Sequence, residues 1–168
     1  MEIYKQLAFE PVTVKDIDDL TRIMKRAFDE DTRRHLGKEQ GGPPGYDNGD
    51  FIRDWYINAK SDAYKVFLHG TLIGAVNIFC WKDNERFLGN IFIDPSYQDK
   101  GLGFLVWQFI ENKYPNTRKW QTETPGFSTK NHHFYINKCG FEFAKIEKFE
   151  GEAHFTITLE KNIIISMQ

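Results

Sequence analysis

The sequence predicts an α/β domain, a mixed β-sheet with helices packed on its faces. Three observations lead there. Helix-spaced and strand-like apolar patterns follow one another along the chain, rather than one type repeating. A length of 168 residues suffices for one well-buried core and falls short of two ordinary ones, so residues 1–168 read as a single domain. A hydrophobic fraction of 40% with 27% charged residues is the balance of a globular chain, not a disordered one.

The same composition removes several classes of function. A formal net charge of −2 supplies no overall basic field, and no nucleic-acid-binding motif appears, so no nucleic-acid partner is expected. No apolar run approaches the ~20 residues of a membrane span, so no membrane partner is expected either. The opening MEIYKQLAFE lacks the basic-then-apolar order of a secretion signal. Cys80 and Cys139 stand far apart and suggest no disulfide framework, which predicts a reduced, cytoplasmic setting. The histidines and cysteines show no zinc-like spacing, and no metal is expected.

Taken in order, a first strand is expected near Leu7–Val12. Thr13 with Asp16 then forms an [ST]-x-x-[DE] helix start, followed by Ile17, Leu20, Met24, Ala27 and Phe28 at helical spacing. That helix ends in a charged cluster, Asp29 to His35. The stretch GKEQGGPPGYDNGD is too rich in glycine and proline for regular structure, and reads as a long loop. It is either a surface linker or a substrate loop carrying Tyr46 and Asp47. A second amphipathic helix presents Phe51, Ile52, Trp55 and Ala59 on one side. Tyr64–Leu68 and Thr71–Cys80 flank His69-Gly70, a two-residue hairpin connection, and a turn at Lys82–Glu85 leads into a third strand, Arg86–Ile93. After a glycine-bearing turn come a helix, a strand at Lys119–Thr124, a helix closing at Cys139-Gly140, and two strands, Phe141–Phe149 and Ala153–Leu159.

The turn before the third of these helices carries most of the chemical information. Leu102, Leu105, Val106, Phe109 and Ile110 recur at i, i+3, i+4, i+7 and i+8, so the helix begins at about Gly101, and Pro115 ends it. Gln98-Asp99-Lys100-Gly101-Leu102-Gly103 therefore sits at a helix N-terminus, where unpaired N–H groups and the positive end of the dipole make an anion site. Glycine there lets a phosphate approach the backbone, and Lys100 adds a cation at the rim. A Walker A loop is excluded, because Phe104 stands where Lys would follow the glycine. A dinucleotide fingerprint is excluded as well, because Val106 replaces its third glycine.

The motif Q-x-x-G-x-G, opened by Asp94-Pro95 after a strand and followed by an apolar helix, resembles the acetyl-CoA pyrophosphate loop of the GNAT N-acetyltransferase superfamily. Downstream, NHHFYINKCGF (Asn131–Phe141) resembles that family's asparagine-bearing helix with Phe-Tyr closing at Gly-Phe. The resemblance implies a GNAT-type fold, with a central, mostly antiparallel sheet and helices on both faces. It implies acetyl-CoA as co-substrate and transfer of the acetyl group to a primary amine by direct attack in a ternary complex. Two strands splay apart to admit pantetheine, so the backbone of Ile91, Phe92 and Ile93 is expected to pair with it. Gln98, Asp99, Lys100, Gly101, Leu102, Gly103 and Phe104 are expected at the pyrophosphate. Asn131 either bonds the pantetheine arm or caps its helix.

The chemistry sets further demands. An alkylammonium of pKa ~10.4 must lose a proton before it attacks, at a cost of roughly 4–5 kcal/mol at neutral pH. A general base meets part of that cost, and a donor to the leaving sulphur helps the departing thiolate. The family's tyrosine implies Tyr135 as acid, although it stands one residue early. Either the helix end carries an extra residue or the acid lies elsewhere. The family's strand glutamate corresponds here to Phe87 or Gly89, neither of which takes a proton. Glu123 in QTETPGF is the remaining candidate base, unless it is only a surface or capping carboxylate. Tyr46, Asp47 and Trp55 are the candidates for the acceptor, a small-molecule or peptide amine. A catalytically inactive CoA-binding sensor or interaction module remains the rival reading. A homodimer stays open.

Overall fold

The chain opens with a hairpin whose first strand is too short and too exposed to show an apolar alternation, which is why only its second strand was expected. β1 (Glu2–Tyr4) pairs antiparallel with β2 (Leu7–Pro11) in a computed structural model that describes residues 1–164. The Asp16 carboxylate accepts the Thr13 N–H at 2.8 Å, as the helix-start motif requires, and one 3₁₀ turn (Val14–Asp16) precedes α1 (Ile17–Leu36). The charged cluster lies inside α1, held by Lys25–Asp29 and Arg33–Glu30 pairs along the helix (2.6 Å each). Gly37 ends α1 with a φ of 69°, its N–H on the Arg33 carbonyl.

Residues 37–49 carry no helix or strand. α2 (Asp50–Ile52) continues without a break as a π-helical turn, Arg53–Asn58. β3 (Asp62–Leu68) and β4 (Thr71–Cys80) meet at His69 and Gly70, both with positive φ, the conformation a type I′ hairpin demands. β5 (Glu85–Ile93) follows, then α3 (Leu102–Lys113), β6 (Lys119–Pro125) and α4 (Thr129–His133). α4 runs on as a second π-helical turn, Phe134–Lys138. β7 (Glu142–Glu147) and β8 (Thr156–Asn162) close the sheet. β8 starts three residues later than the apolar pattern suggested, because antiparallel pairing with β6 begins at Thr156 opposite Pro125.

The eight strands run in the order β1-β2-β3-β4-β5-β6-β8-β7, and every pair is antiparallel except β5 with β6. The sheet separates two cores. On one face Leu20, Met24 and Ile52 of α1 and α2 pack over Ala75 and Phe92. On the other, Val106, Trp107 and Ile110 of α3 pack with Trp120, Phe141 and Leu159. The mixed α/β architecture with helices on both faces is therefore as expected.

Candidate active site

The parallel pairing of β5 with β6 covers only Glu85–Leu88 against Lys119–Thr122. Beyond that the strands part. β6 stays with β8 as far as Pro125, while β5 stays with β4 as far as Ile93. A bulge marks the point of divergence. Asn77 opposes Asn90 and Ile78 opposes Leu88, so Gly89 is an extra residue in β5. The Asn77 side chain occupies the space beside it. Its Oδ1 accepts the Asn90 N–H at 3.0 Å, and its Nδ2 donates to the Trp55 carbonyl at 3.2 Å. On the other strand the Thr122 hydroxyl donates to the Leu88 carbonyl at 2.9 Å, capping the last shared rung. The gap is thus enforced from both sides by side-chain hydrogen bonds.

With the Asn90 N–H turned towards β4, alternation directs the amide and carbonyl of Ile91 into the gap. The Ile93 carbonyl points the same way and accepts Gln98 Nε2 at 2.9 Å. Asp94 is buried at the end of β5. Its carboxylate accepts the Ser96 N–H and pairs with Arg26 of α1. Burial opposes the charge, but the Ser96 amide and the Arg26 guanidinium outweigh it and hold the carboxyl below its ordinary value.

At the start of α3, Gly101 has a φ of 76° and no capping side chain. A Cβ there would touch nothing, so this glycine answers to its backbone angle. A Cβ on Gly103 would meet only the Phe134 ring, at 3.5 Å. The first turn of α3 therefore opens its N–H groups onto a cleft. Ile91, Phe92 and Ile93, then Gln98, Asp99, Gly101, Leu102, Gly103 and Phe104, then Glu123, Asn131 and Tyr135 all line it.

Lys100 does not line the cleft. Asp99, with a φ of 61°, and Gly101 turn the backbone so that the Lys100 amine lies over the Tyr97 ring, 5.6 Å from its centroid. The cations on the walls are Arg34, Lys130 and Lys138. Lys130 reaches Gln98 Oε1 at 2.8 Å and Asp99 at 3.4 Å, so α4 is fastened directly over the glycine turn. Sequence reasoning missed Lys130 and Arg34, whose spacing from the turn carries no local signal.

Asn131 donates to Thr124 Oγ1 at 3.3 Å from the far wall. Of the adjacent histidines, His132 bonds the Pro125 carbonyl, while His133 faces the cleft. Tyr135 is buried between Phe134 and Phe141, with ring centroids at 5.1 and 5.8 Å. Burial raises its hydroxyl pKa above the ordinary phenol range, followed by Cys139, with Thr122 pulling the other way. The π-helical turn explains its unexpected spacing. The Cys139 N–H reaches the Phe134 carbonyl five residues back, so this helix end holds one residue more than an α-turn. Glu123 is solvent-exposed at the open edge of the gap. Desolvation on its protein side, then repulsion from Glu147, raises its carboxyl.

The three acceptor candidates lie elsewhere. Tyr46 is buried and its hydroxyl donates to Asp29 at 2.6 Å, anchoring the 37–49 loop on α1 together with Gly41. Burial and the Asp29 carboxylate lift its pKa to about 12. Asp47 is exposed, and Trp55 is half-exposed above Phe79. None of the three lines the cleft. Tyr56, beside Trp55 on the same helical turn, is buried, and its hydroxyl donates to the side chain of Asn90 on the cleft wall.

A sheet split beside an uncapped, glycine-bearing helix start is the arrangement that the resemblance to the GNAT family implied. Residues 18–141 match the acetyltransferase (GNAT) family, and the chain belongs to it. It is 29% identical over 148 residues to YrkN of Bacillus subtilis, covering 88% of this chain and 77% of that one. Among solved structures, an acetyltransferase of Thermus thermophilus superposes with a TM-score of 0.72 at 19% identity, covering 94% of this chain and 97% of that one. A spermidine N-acetyltransferase of Vibrio cholerae, solved with CoA and spermine, superposes at 0.68 with 15% identity, covering 94% and 96%.

Proposed function

We propose that this protein transfers the acetyl group of acetyl-CoA to a primary amine by direct attack within a ternary complex. The observation that carries this reading is the coincidence of three features on one cleft: the β5–β6 gap, the uncapped start of α3, and the buried phenol of Tyr135. The gap leaves five residues of β5, Gly89–Ile93, without a neighbour on one side. At about 3.4 Å per residue that is an edge of roughly 17 Å, along which an extended amide-bearing arm pairs as an added strand. The N–H groups at Gly103 and Phe104 suit a diphosphate, with Lys130 beside them.

Tyr135 serves as the donor to the leaving sulphur. Its raised pKa keeps the proton in place throughout the neutral range. A thiolate with a conjugate-acid pKa of ~8.5 is a weaker base than this phenolate, so the main contribution is a hydrogen bond to the developing charge. Glu123 accepts the amine proton through water at the edge of the cleft, and its exposed position is what a water-mediated route needs. The acceptor is a small-molecule amine, a class to which the polyamine ligand of the Vibrio cholerae protein belongs.

One observation favours a second reading, a CoA-binding sensor. Phe87 and Gly89 supply no carboxylate on β5, and at Gly89 the Asn77 side chain takes up the space any side chain would need. The test is free-thiol release from acetyl-CoA with a panel of polyamines, amino acids, aminoglycosides and peptides. Amine-dependent release is expected. Tight CoA binding with no release on any amine would overturn the transferase reading in favour of the sensor.

A further inference from the structure

The two edges of the sheet are built differently. β1 has three residues, half the length of β7. β7 has six and pairs only with β8 among the described residues, leaving its outer backbone groups free to accept another strand. Large apolar side chains stand on it or just past it in solvent: Phe143 is 57% exposed, Ile146 55% and Phe149 44%. An edge that needed only protection would carry charges and a bulge. β7 has Glu142, Lys145 and Glu147 and a bulge between Phe143 and Lys145, yet it also keeps these apolar side chains in water. From Lys145 to Glu147 its pairing is regular. Lys145 and Glu147 lie opposite Thr158 and Thr156 on one face, and Ile146 lies opposite Ile157 on the other.

We propose that β7 pairs antiparallel with β7 of a second copy of this chain, about a two-fold axis at Ile146, joining two sheets edge to edge. In that register Lys145 of each copy lies opposite Glu147 of the other, and Ile146 faces its own counterpart. Within each chain Lys145 already pairs with Glu147, so the dimer closes a ring of four alternating charges. The smallest slip that keeps each side chain on its own face is two residues. A slip one way puts Lys145 opposite itself, and the other way puts Glu147 opposite itself. Self-complementarity therefore selects one register, as an isologous interface requires. The interface goes beyond the acetyl-transfer reading and does not depend on it.

Sedimentation equilibrium on the full chain is expected to show a dimer in the micromolar range. Lys145→Glu turns both symmetry-related contacts repulsive and weakens the dimer about tenfold or more. Lys145→Glu combined with Glu147→Lys restores opposite signs in the same register and recovers the dimer. Ile146→Cys in a Cys80→Ser background oxidises to a covalent dimer, whereas Ile3→Cys on the β1 edge does not. Each variant is checked for its fold by circular dichroism. A monomeric wild type, a dimer indifferent to Lys145→Glu, or a folded double variant that stays monomeric would each overturn the proposal.

Discussion

Substituting Gly89 by alanine tests whether the gap in the sheet is enforced by packing. A Cβ at this position would stand 2.3 Å from Asn77 Oδ1 and 2.9 Å from its Cγ, well inside van der Waals contact. Asn77 cannot simply swing aside. It is buried, and its amide holds the Asn90 N–H and the Trp55 carbonyl. Moving it breaks two hydrogen bonds worth about 1 kcal/mol each, and more if the backbone groups stay unpaired, for a total of about 2–4 kcal/mol. In a chain of this size that lowers Tm by roughly 5–15 °C. The Asn77→Ala variant loses the same hydrogen bonds but leaves room for the new methyl. The double variant should therefore be about as stable as Asn77→Ala alone, with a coupling of about 1 kcal/mol or more. Thermal and urea unfolding of the four proteins, with CoA titration by calorimetry, reads out both stability and the cleft. A Gly89→Ala protein within about 0.5 kcal/mol of wild type, or a fully additive cycle, would refute the argument.

Other consequences can be checked with single variants. Gly103→Val places its Cβ in ordinary contact with Phe134 and spares the fold, but fills the space above the first turn of α3. Calorimetry should show CoA affinity lost at nearly unchanged Tm, and retained affinity would mean the turn does not bind phosphate. Tyr135→Phe keeps the ring between Phe134 and Phe141, so turnover should fall ~10²–10⁴-fold with CoA affinity intact. A fall in affinity instead would mark the tyrosine as packing alone. Asp94 has a folded pKa below its ordinary 3.8, so its stabilisation is present at neutral pH and is lost as the pH falls through the folded value. Asp94→Asn should melt below wild type at pH 7, with the difference narrowing once the pH drops under about 4; a gap that holds constant down to strong acid would contradict the linkage.

Much of the fold was legible because its signals are local. The Thr13–Asp16 start, the His69-Gly70 hairpin, the αL glycine at 140 and the glycine pair before α3 each involve partners within a few residues, and all lie where turn and capping chemistry put them. Spacing rules failed where a helix departed from the α period. The extra residue at Phe134–Lys138 displaced Tyr135 from its anticipated position, and a π-turn leaves no mark in an apolar pattern. β1 escaped notice for a different reason: three mostly exposed residues carry no alternation.

By itself, then, the sequence determined the kind and order of the long helices and of every strand but β1, and the glycine-bearing start of α3. Those depend on backbone preferences and on neighbours along the chain. Tertiary structure alone decided that β5 leaves β6 after Leu88, that Lys130 rather than Lys100 lines the cleft, and that Tyr46 anchors a loop on Asp29. Each of these rests on side chains brought together from 13 to 34 residues apart in the chain, such as Asn77 with Asn90 and Thr122 with Leu88. Only strand register and helix docking create those contacts, and neither is written in any short stretch of chain.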